Sequence, residues 1–265
     1  MRRLVFAIGL LFAATPAFAK MQAKPVEWSV GQERFSGYVV YDDAAKAKRP
    51  GLVMVPNWMG VTDDAVARAK AIAGDDYVVL VADVWGKGRQ PKDSAEAGKF
   101  AGALRGEDRG PLRARIEAAL ATLKAQAGKA PLDASKIGAF GFCFGGSTVL
   151  ELARSGADVA GVVSLHGGLA PGAKSQTAAA IKAPVLVLNG ADDKATPDAD
   201  ILAFEKEMDA ARADWQFVDF SGAVHCFAEP SAGNDPASNC RYDARAAKRA
   251  YRMMDDFFRE RFAAK

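Results

Sequence analysis

The chain has 265 residues, half of them hydrophobic, and its 35 basic residues nearly balance its 32 acidic ones. This balance gives no basic footprint of the kind that nucleic-acid-binding proteins carry, and it argues equally against binding to an anionic lipid surface. The length is sufficient for one large domain with a substantial hydrophobic core.

The first twenty residues have the three parts of a secretory signal peptide. Two arginines precede an apolar run, Leu4–Ala14, and the sequence A-F-A at 17–19 is a small-residue cleavage site. The alternative is an uncleaved membrane anchor, but the apolar run is shorter than the roughly twenty residues that cross a bilayer. We predict a signal peptide over residues 1–19 and a single domain over 20–265. The mature protein is expected to be periplasmic or secreted, with no further membrane segment.

In chain order, a hairpin comes first, followed by apolar strands that alternate with helical patterns. Val26–Val30 and Phe35–Tyr41 flank a glycine-containing turn, which predicts an antiparallel hairpin at one edge of a sheet. Apolar residues recur at helical spacing over 112–123 and 247–258 and predict two helices there. The other strand candidates are Gly51–Val55, Tyr77–Ala82, Ile137–Phe142, Val159–Leu165, Pro184–Leu188 and Trp215–Phe220.

These strands lack polar alternation and are separated by helices, a pattern typical of a parallel sheet that is covered on both faces. The predicted fold class is therefore α/β, with a mostly parallel central sheet and helices on both faces. Ligands of such sheets bind beyond the carboxyl ends of the strands. Candidate functional residues should consequently lie in the loops that follow the strands.

The segment GFCFGG at 141–146 places a cysteine between two glycines, directly after a predicted strand. A sharp strand-to-helix turn that exposes a nucleophile crowds the positions two residues away, and Gly141 and Gly145 would relieve that crowding. The helix that follows, Ser147–Arg154, would present its amino terminus to Cys143 and favour a thiolate. The alternative is an ordinary glycine-rich turn with a structural cysteine.

A thiolate nucleophile needs a base, and the chain has two histidines. His225 follows the last predicted strand, as the order of nucleophile, acid and histidine in α/β-hydrolases requires, so we favour it over His166. His166 is expected to line the site or to be a structural histidine. The acid should follow the intervening strand in NGADDKATP, where Asp193 is favoured and Asp192 is the alternative.

With these motifs the chain resembles the dienelactone hydrolase family of α/β-hydrolases from about Val26 to the last helix. The resemblance is carried by VPNWMGVTDDAVARAKAIA, VVLVADVWGKG, IGAFGFCFGGSTVLELARSGADVAGVVSLHGG, VLNGADDKATP and GAVHCFAEP. It implies a cysteine nucleophile at Cys143 with Asp193 and His225 as partners. It also implies hydrolysis of a small unsaturated lactone or related esters, without a metal or an organic cofactor.

The backbone amides of Trp58 and Phe144 are the expected oxyanion hole, and Asn57, Trp85, Lys87 and His166 are assigned to the substrate pocket. Lys87 stands about where the founding enzymes have an arginine that holds the substrate carboxylate; the alternative is a surface lysine. Asn57 departs from the family, which has a glutamate there that helps to activate the cysteine. An asparagine cannot take up that proton.

Cys226 and Cys240 are predicted to form a disulfide. Three cysteines in an exported protein leave one unpaired, and a catalytic thiol must be the free one. The intervening FAEPSAGNDPASN is rich in turn-forming residues and should bring its ends together. The alternative is two separate thiols.

The sequence therefore predicts an exported cysteine hydrolase of small esters or lactones that acts through a thioester. A non-catalytic small-molecule binding protein on the same scaffold is the alternative. A thiol redox protein is disfavoured because the chain has no C-x-x-C motif, and neither histidine has the spacing to other ligands that a zinc site requires.

Overall fold

Eight strands form one sheet in the order β1-β2-β4-β3-β5-β6-β7-β8. The computed structural model describes residues 21–44, 46–172 and 181–263, so the predicted signal peptide over 1–19 lies outside the described residues. β1 and β2 pair antiparallel, as do β2 and β4, whereas all the other pairs are parallel. The strands are β1 (Met21–Val30), β2 (Glu33–Asp42), β3 (Arg49–Val55), β4 (Val78–Val81), β5 (Leu132–Phe142), β6 (Val162–Leu165), β7 (Val185–Gly190) and β8 (Trp215–Phe220).

Helices pack on both faces of this sheet. The α-helices are α1 (Asp63–Ala73), α2 (Ser94–Leu104), α3 (Gly110–Lys124), α4 (Phe144–Arg154), α5 (Asp198–Ala210) and α6 (Ala244–Ala263), and a short 3₁₀ turn spans Pro230–Ala232. Alternate residues of β3 point to opposite faces, as strand geometry requires. Leu52 and Met54 join a core with α1 and α6, whereas Val53 and Val55 join a core with α2, α3, α4 and α5.

The predicted α/β fold, the edge hairpin and the parallel sheet are confirmed. Gly31, with φ of 56°, occupies the left-handed region in the two-residue turn of the hairpin, a conformation that glycine adopts without strain. The spacing of apolar residues along the chain does not predict three of the helices, α1, α2 and α5. The inward face of α1 consists mainly of alanines, which give a weaker apolar signal than the leucines of α3.

Several strand boundaries differ from the sequence expectation by one or two residues, and β1 begins five residues earlier, at Met21. Three further differences are larger or lie at the site. β5 begins at Leu132 and is longer than predicted, β6 begins only at Val162, and α4 begins at Phe144 rather than at Ser147. The last difference matters for the site, because it brings the first helical residue directly against Cys143. Within the described residues, no helix has the length and apolarity that crossing a membrane requires.

Candidate active site

Cys143 lies at the turn between β5 and α4, at the carboxyl edge of the sheet. Its backbone has φ of 52° and ψ of −115°, a conformation that costs a non-glycine residue roughly 1–3 kcal/mol. The side chain is partly exposed and is the free cysteine among the described residues. The adjoining first turn of α4 supplies backbone amides without intrahelical acceptors and the positive end of the helix dipole.

The two glycines around Cys143 are required by close backbone approaches. A Cβ atom on Gly145 would lie 2.0 Å from the carbonyl oxygen of Val55 at the end of β3, and one on Gly141 would lie 2.2 Å from the carbonyl oxygen of Gly145. Neither neighbour is a side chain that could rotate away. The glycine spacing therefore reflects the packing of the turn against itself at Gly141 and against the end of β3 at Gly145.

His225 and Asp193 meet above the neighbouring strands. His225 Nδ1 lies 2.7 Å from Asp193 Oδ2, and His225 and Cys143 line the same cleft, close enough for the sulfur to interact electrostatically with the imidazole. Burial disfavours the charged imidazolium, but the bond to the carboxylate and the interaction with the sulfur outweigh it and raise the pKa of His225 to about 10. The structure thus brings the three residues together in the order Asp193, His225, Cys143.

Asp193 is buried and has three hydrogen-bond donors. Burial by itself would raise the pKa of this carboxyl, but His225, the Ala195 amide and Asn239 together hold it below its ordinary value. The Ala195 amide donates to Oδ1 at 2.8 Å and Asn239 Nδ2 donates to the same oxygen at 3.1 Å. The neighbouring Asp192 is exposed and stands outside this network.

The predicted disulfide between Cys226 and Cys240 is present, with the two Cα atoms 4.9 Å apart. It closes the loop that follows His225. Cys240 forms a β-bridge with His225, and the Arg241 amide donates to the carbonyl of His225 at 3.1 Å. The closed loop also carries Asn239, which hydrogen-bonds Asp193. The disulfide therefore helps to position a partner of His225 and a partner of Asp193.

A cleft of about 720 Å³ opens over Cys143 and His225. Asn57 and Trp58 line it on the β3 side, and both disulfide cysteines line it on the other side. A volume of this size is within the usual range of small-molecule sites. The carboxyl edge of the sheet is therefore where the candidate chemistry lies, as the fold class predicted.

Three of the four residues assigned to the substrate pocket from sequence, Trp85, Lys87 and His166, lie outside the cleft lining that the described residues form. Trp85 is buried against the ring of Phe144, with the ring centroids 4.6 Å apart. Lys87 is exposed and pairs with Glu27 of β1, because the loop after β4 runs beside the edge hairpin.

His166 is fully buried beneath the site, with φ of 41°. Its ring meets that of His225 edge-on at a centroid distance of 5.1 Å. Burial, followed by the nearby charges of His225 and Arg68, holds its pKa well below the ordinary value. His166 is therefore a neutral residue behind the base and does not contact the cleft.

Trp58, in the loop after β3, lines the cleft. Asn57 Oδ1 accepts from the Met59 amide at 3.0 Å, and the Asn57 carbonyl accepts from the Gly60 amide at 2.9 Å. On the opposite side of the turn, Phe144 is the first residue of α4. The two amides expected to form an oxyanion hole thus belong to the two backbone segments that flank Cys143.

Sequence reasoning missed Glu229, Arg68, Asn239 and Arg105. Glu229 is 2% exposed and accepts from both Asn57 and Arg68. Arg105, at the end of α2, lines the cleft and lies over the Phe144 ring, 5.1 Å from its centroid. Glu229 stands four residues after His225 in a quoted motif, but its long-range partners give no local signal. In the described part of the chain, no group of three or more His, Cys, Asp or Glu side chains is placed to hold a metal ion.

Known proteins resemble this chain in sequence and in fold. A family model described as the dienelactone hydrolase family matches residues 35–262. The structure m3DLH superposes with a TM-score of 0.85 at 36% identity, covering 91% of this chain and 99% of that one. A dienelactone hydrolase-like promiscuous phosphotriesterase, P91 from metagenomic libraries, gives a TM-score of 0.84 at 37% identity, with 91% and 99% coverage.

Curated relatives match over shorter stretches. The human carboxymethylenebutenolidase homolog is 29% identical over 161 residues, which are 60% of this chain and 62% of the human protein. The Caenorhabditis elegans protein K02A2.1, described as uncharacterized, is 36% identical over 58% of this chain and 96% of its own length.

Proposed function

Because the chain belongs to the dienelactone hydrolase family, whose members are carboxylic ester and lactone hydrolases, we propose that it hydrolyses small esters or lactones through a thioester on Cys143. The observation that carries this proposal is the position of His225. It bonds Asp193 through Nδ1 and lies close to a free cysteine on a strained turn at the edge of a cleft. A structural cysteine needs neither the strain nor the base.

In the first half-reaction the Cys143 thiolate attacks the carbonyl carbon of the substrate, and the carbonyl π electrons move to the oxygen. The tetrahedral species then collapses, the carbon–oxygen bond to the leaving group breaks, and imidazolium His225 gives its proton to the departing alkoxide. The products are an alcohol and a thioester, or a ring-opened thioester from a lactone. Asp193 orients the ring and stabilises its charge.

In the second half-reaction neutral His225 takes a proton from water as the water attacks the thioester. Collapse of this intermediate expels the sulfur as thiolate and releases the acid. The raised pKa of His225 would make it a poor base, but part of that elevation comes from the interaction with the charged sulfur of Cys143. The acylated sulfur carries no charge, so acylation lowers the pKa of His225. This favours the neutral imidazole at the step in which His225 acts as a base.

The amides of Trp58 and Phe144 are the proposed donors to the oxyanion in both steps. Such donors act on charge that develops only in the transition state, and the loss of one typically costs about 10²–10³ in rate. The cleft favours a compact substrate. Arg105 at its rim would attract a substrate with an anionic group, in place of the predicted Lys87, which is engaged with Glu27.

Export remains part of the proposal. The signal-like features of residues 1–19 support it, and so does the disulfide, since such bonds persist in oxidising compartments. Expression of the full chain in a Gram-negative host followed by amino-terminal sequencing of the periplasmic fraction tests this. A mature terminus at Lys20 is expected, and an intact protein retained in the cytoplasm would contradict it.

The activity is tested with the mature protein and its Cys143→Ala variant on a panel of small aryl esters and lactones. An aryl phosphotriester belongs in the panel because P91 is described as a promiscuous phosphotriesterase. Hydrolysis by the wild type, with at least a thousandfold loss in the variant, is expected because removal of a nucleophile leaves only binding and oxyanion effects. Equal rates in both proteins, or no turnover across the panel, would remove the proposed function.

A further inference from the structure

We propose that Glu229 is a positioning residue that fixes the oxyanion loop through Asn57. The oxyanion loop is defined as residues 56–60, between β3 and α1, and the clamp as Arg68, Glu229 and Asn57. This inference rests on the proposed function, since it assigns the loop's Trp58 amide to the oxyanion. It also gives Asn57 a role other than accepting a proton.

Glu229 lies at the centre of the clamp. One of its carboxylate oxygens, Oε2, accepts from Arg68 Nη1 at 2.6 Å and from Asn57 Nδ2 at 2.6 Å. Arg68 is in turn fixed by Asp64 of its own helix, whose Oδ2 accepts from Nη2 at 2.7 Å. Both Glu229 and Arg68 are buried, so water competes little for these charge-assisted bonds.

Asn57 connects this buried pair to the backbone of the loop. Its Nδ2 donates to Glu229 while its Oδ1 accepts from the Met59 amide at 3.0 Å. The Gly60 amide also donates to the Asn57 carbonyl at 2.9 Å. Trp58 lies between Asn57, which is bound to Glu229, and Met59, whose amide is bound by the Asn57 side chain, so the clamp restrains the backbone on both sides of Trp58.

The clamp uses both ends of the amide at position 57. The side chain of Asn57 donates to the Glu229 carboxylate through Nδ2 and accepts from the Met59 N–H through Oδ1, whereas an ionised carboxylate at this position could only accept. A carboxylate at this position would face Glu229 across a hydrogen-bond distance, and two like charges there repel. Asn57 is thus complementary to the buried Glu229, which gives it a role different from that of the acid that the resemblance led us to expect at this position.

The clamp also connects the two sides of the site. Glu229 lies four residues after His225, and the Glu229 amide donates to the carbonyl of Cys226 at 2.8 Å. The segment that carries the base is therefore tied to the segment that carries the oxyanion donor. A substitution that disturbs the clamp should mainly weaken stabilisation of the transition state and should change binding of the ground-state substrate less.

The test is a charge swap measured on an aryl ester at pH 8. Asn57→Asp, which preserves side-chain volume, is expected to lower kcat at least about thirtyfold with KM within about threefold, because displacing one oxyanion donor costs on the order of 10²–10³. Glu229→Gln keeps an oxygen for both donors and should lose less than about tenfold. The double variant Asn57→Asp/Glu229→Gln removes the repulsion and should recover at least about tenfold over Asn57→Asp.

Glu207→Gln is the matched control. It weakens a pair of comparable length, in which Arg154 Nη2 lies 2.7 Å from Glu207 Oε2, and Glu207 is not in the cleft lining. Its kcat should remain at the wild-type value even if its melting temperature falls. This separates a loss of positioning from a general loss of stability.

The two failures are distinguishable. Wild-type turnover that does not depend on Cys143 would overturn the proposed function, and the role of the clamp would fall with it. Normal Cys143-dependent turnover, together with an Asn57→Asp variant as active as the wild type or a double variant no better than Asn57→Asp, would overturn the clamp alone. An equal kcat loss in Glu207→Gln would do the same.

Discussion

The disulfide offers the most direct test of how the loop after His225 is held. The change is the double variant Cys226→Ala/Cys240→Ala, which leaves Cys143 as the free thiol. In the wild type the bridge closes the segment that carries Asn239, and Asn239 donates to Asp193 at 3.1 Å. Without the bridge, this hydrogen bond and the β-bridge between His225 and Cys240 must be maintained by non-covalent contacts alone.

The expected loss of stability follows from the length of the closed loop. The cysteines are 14 positions apart, and closing a loop of about 15 residues is worth roughly 3 kcal/mol in the chain-entropy model. For a domain of this size each kcal/mol shifts the melting temperature by about 2–4 °C, so a decrease of about 6–12 °C is expected. Turnover should also fall, on the order of tenfold if the bond from Asn239 to the Asp193 carboxylate is lost.

Calorimetric melting and ester turnover are measured for the wild type with and without a phosphine reductant, and for the double variant. Reductant should shift the wild type toward the double variant and leave the double variant unchanged. Cys143→Ala serves as the control, since it keeps the bridge and should melt near the wild type. A double variant that melts within about 1 °C of the wild type, with full turnover, would refute the reasoning.

Three further predictions concern the base and the turn. His225→Ala should abolish turnover, whereas His166→Ala should retain a measurable part of the wild-type turnover, because loss of the base removes the chemical step and loss of a buried supporting residue does not. The reverse ranking in steady-state assays would contradict the assignment of His225 as the base. Gly145→Ala should cost about 3 kcal/mol in urea unfolding, the upper end for overpacking, since its Cβ would lie 2.0 Å from the Val55 carbonyl. Gly102→Ala, inside α2 where a Cβ meets open space, should be neutral or stabilising by up to about 1 kcal/mol; equal losses in the two variants would refute the steric argument. The folded-state pKa of His225, raised from 6.5 to about 10, means that its imidazolium stabilises the fold fully below pH 6.5 and that this contribution is lost as pH rises toward 10. The free energy of unfolding in urea should therefore fall more steeply between pH 6.5 and 10 for the wild type than for His225→Gln. Parallel curves would count against this stabilising role of the His225 imidazolium.

The sequence by itself determined the features that depend on local pattern and order. The α/β class followed from apolar strands that alternate with helices, and the edge hairpin followed from two strands around a glycine turn. The glycines around Cys143 indicated a tight turn because their spacing is a local steric requirement. With Cys143 assigned as the nucleophile of an exported protein, Cys226 and Cys240 were left as the predicted pair, which the structure shows bonded.

The tertiary structure alone decided which side chains support the site. Glu229 meets Asn57 across 172 positions of sequence and Arg68 across 161, and Asn239 reaches Asp193 across 46. Such contacts depend on how loops at one edge of the sheet pack together, and composition and periodicity carry no record of that packing. Lys87 is a further example: its place in the resemblance suggested a substrate anchor, with a surface lysine as the alternative, and the structure shows an exposed lysine that pairs with Glu27 of the edge hairpin.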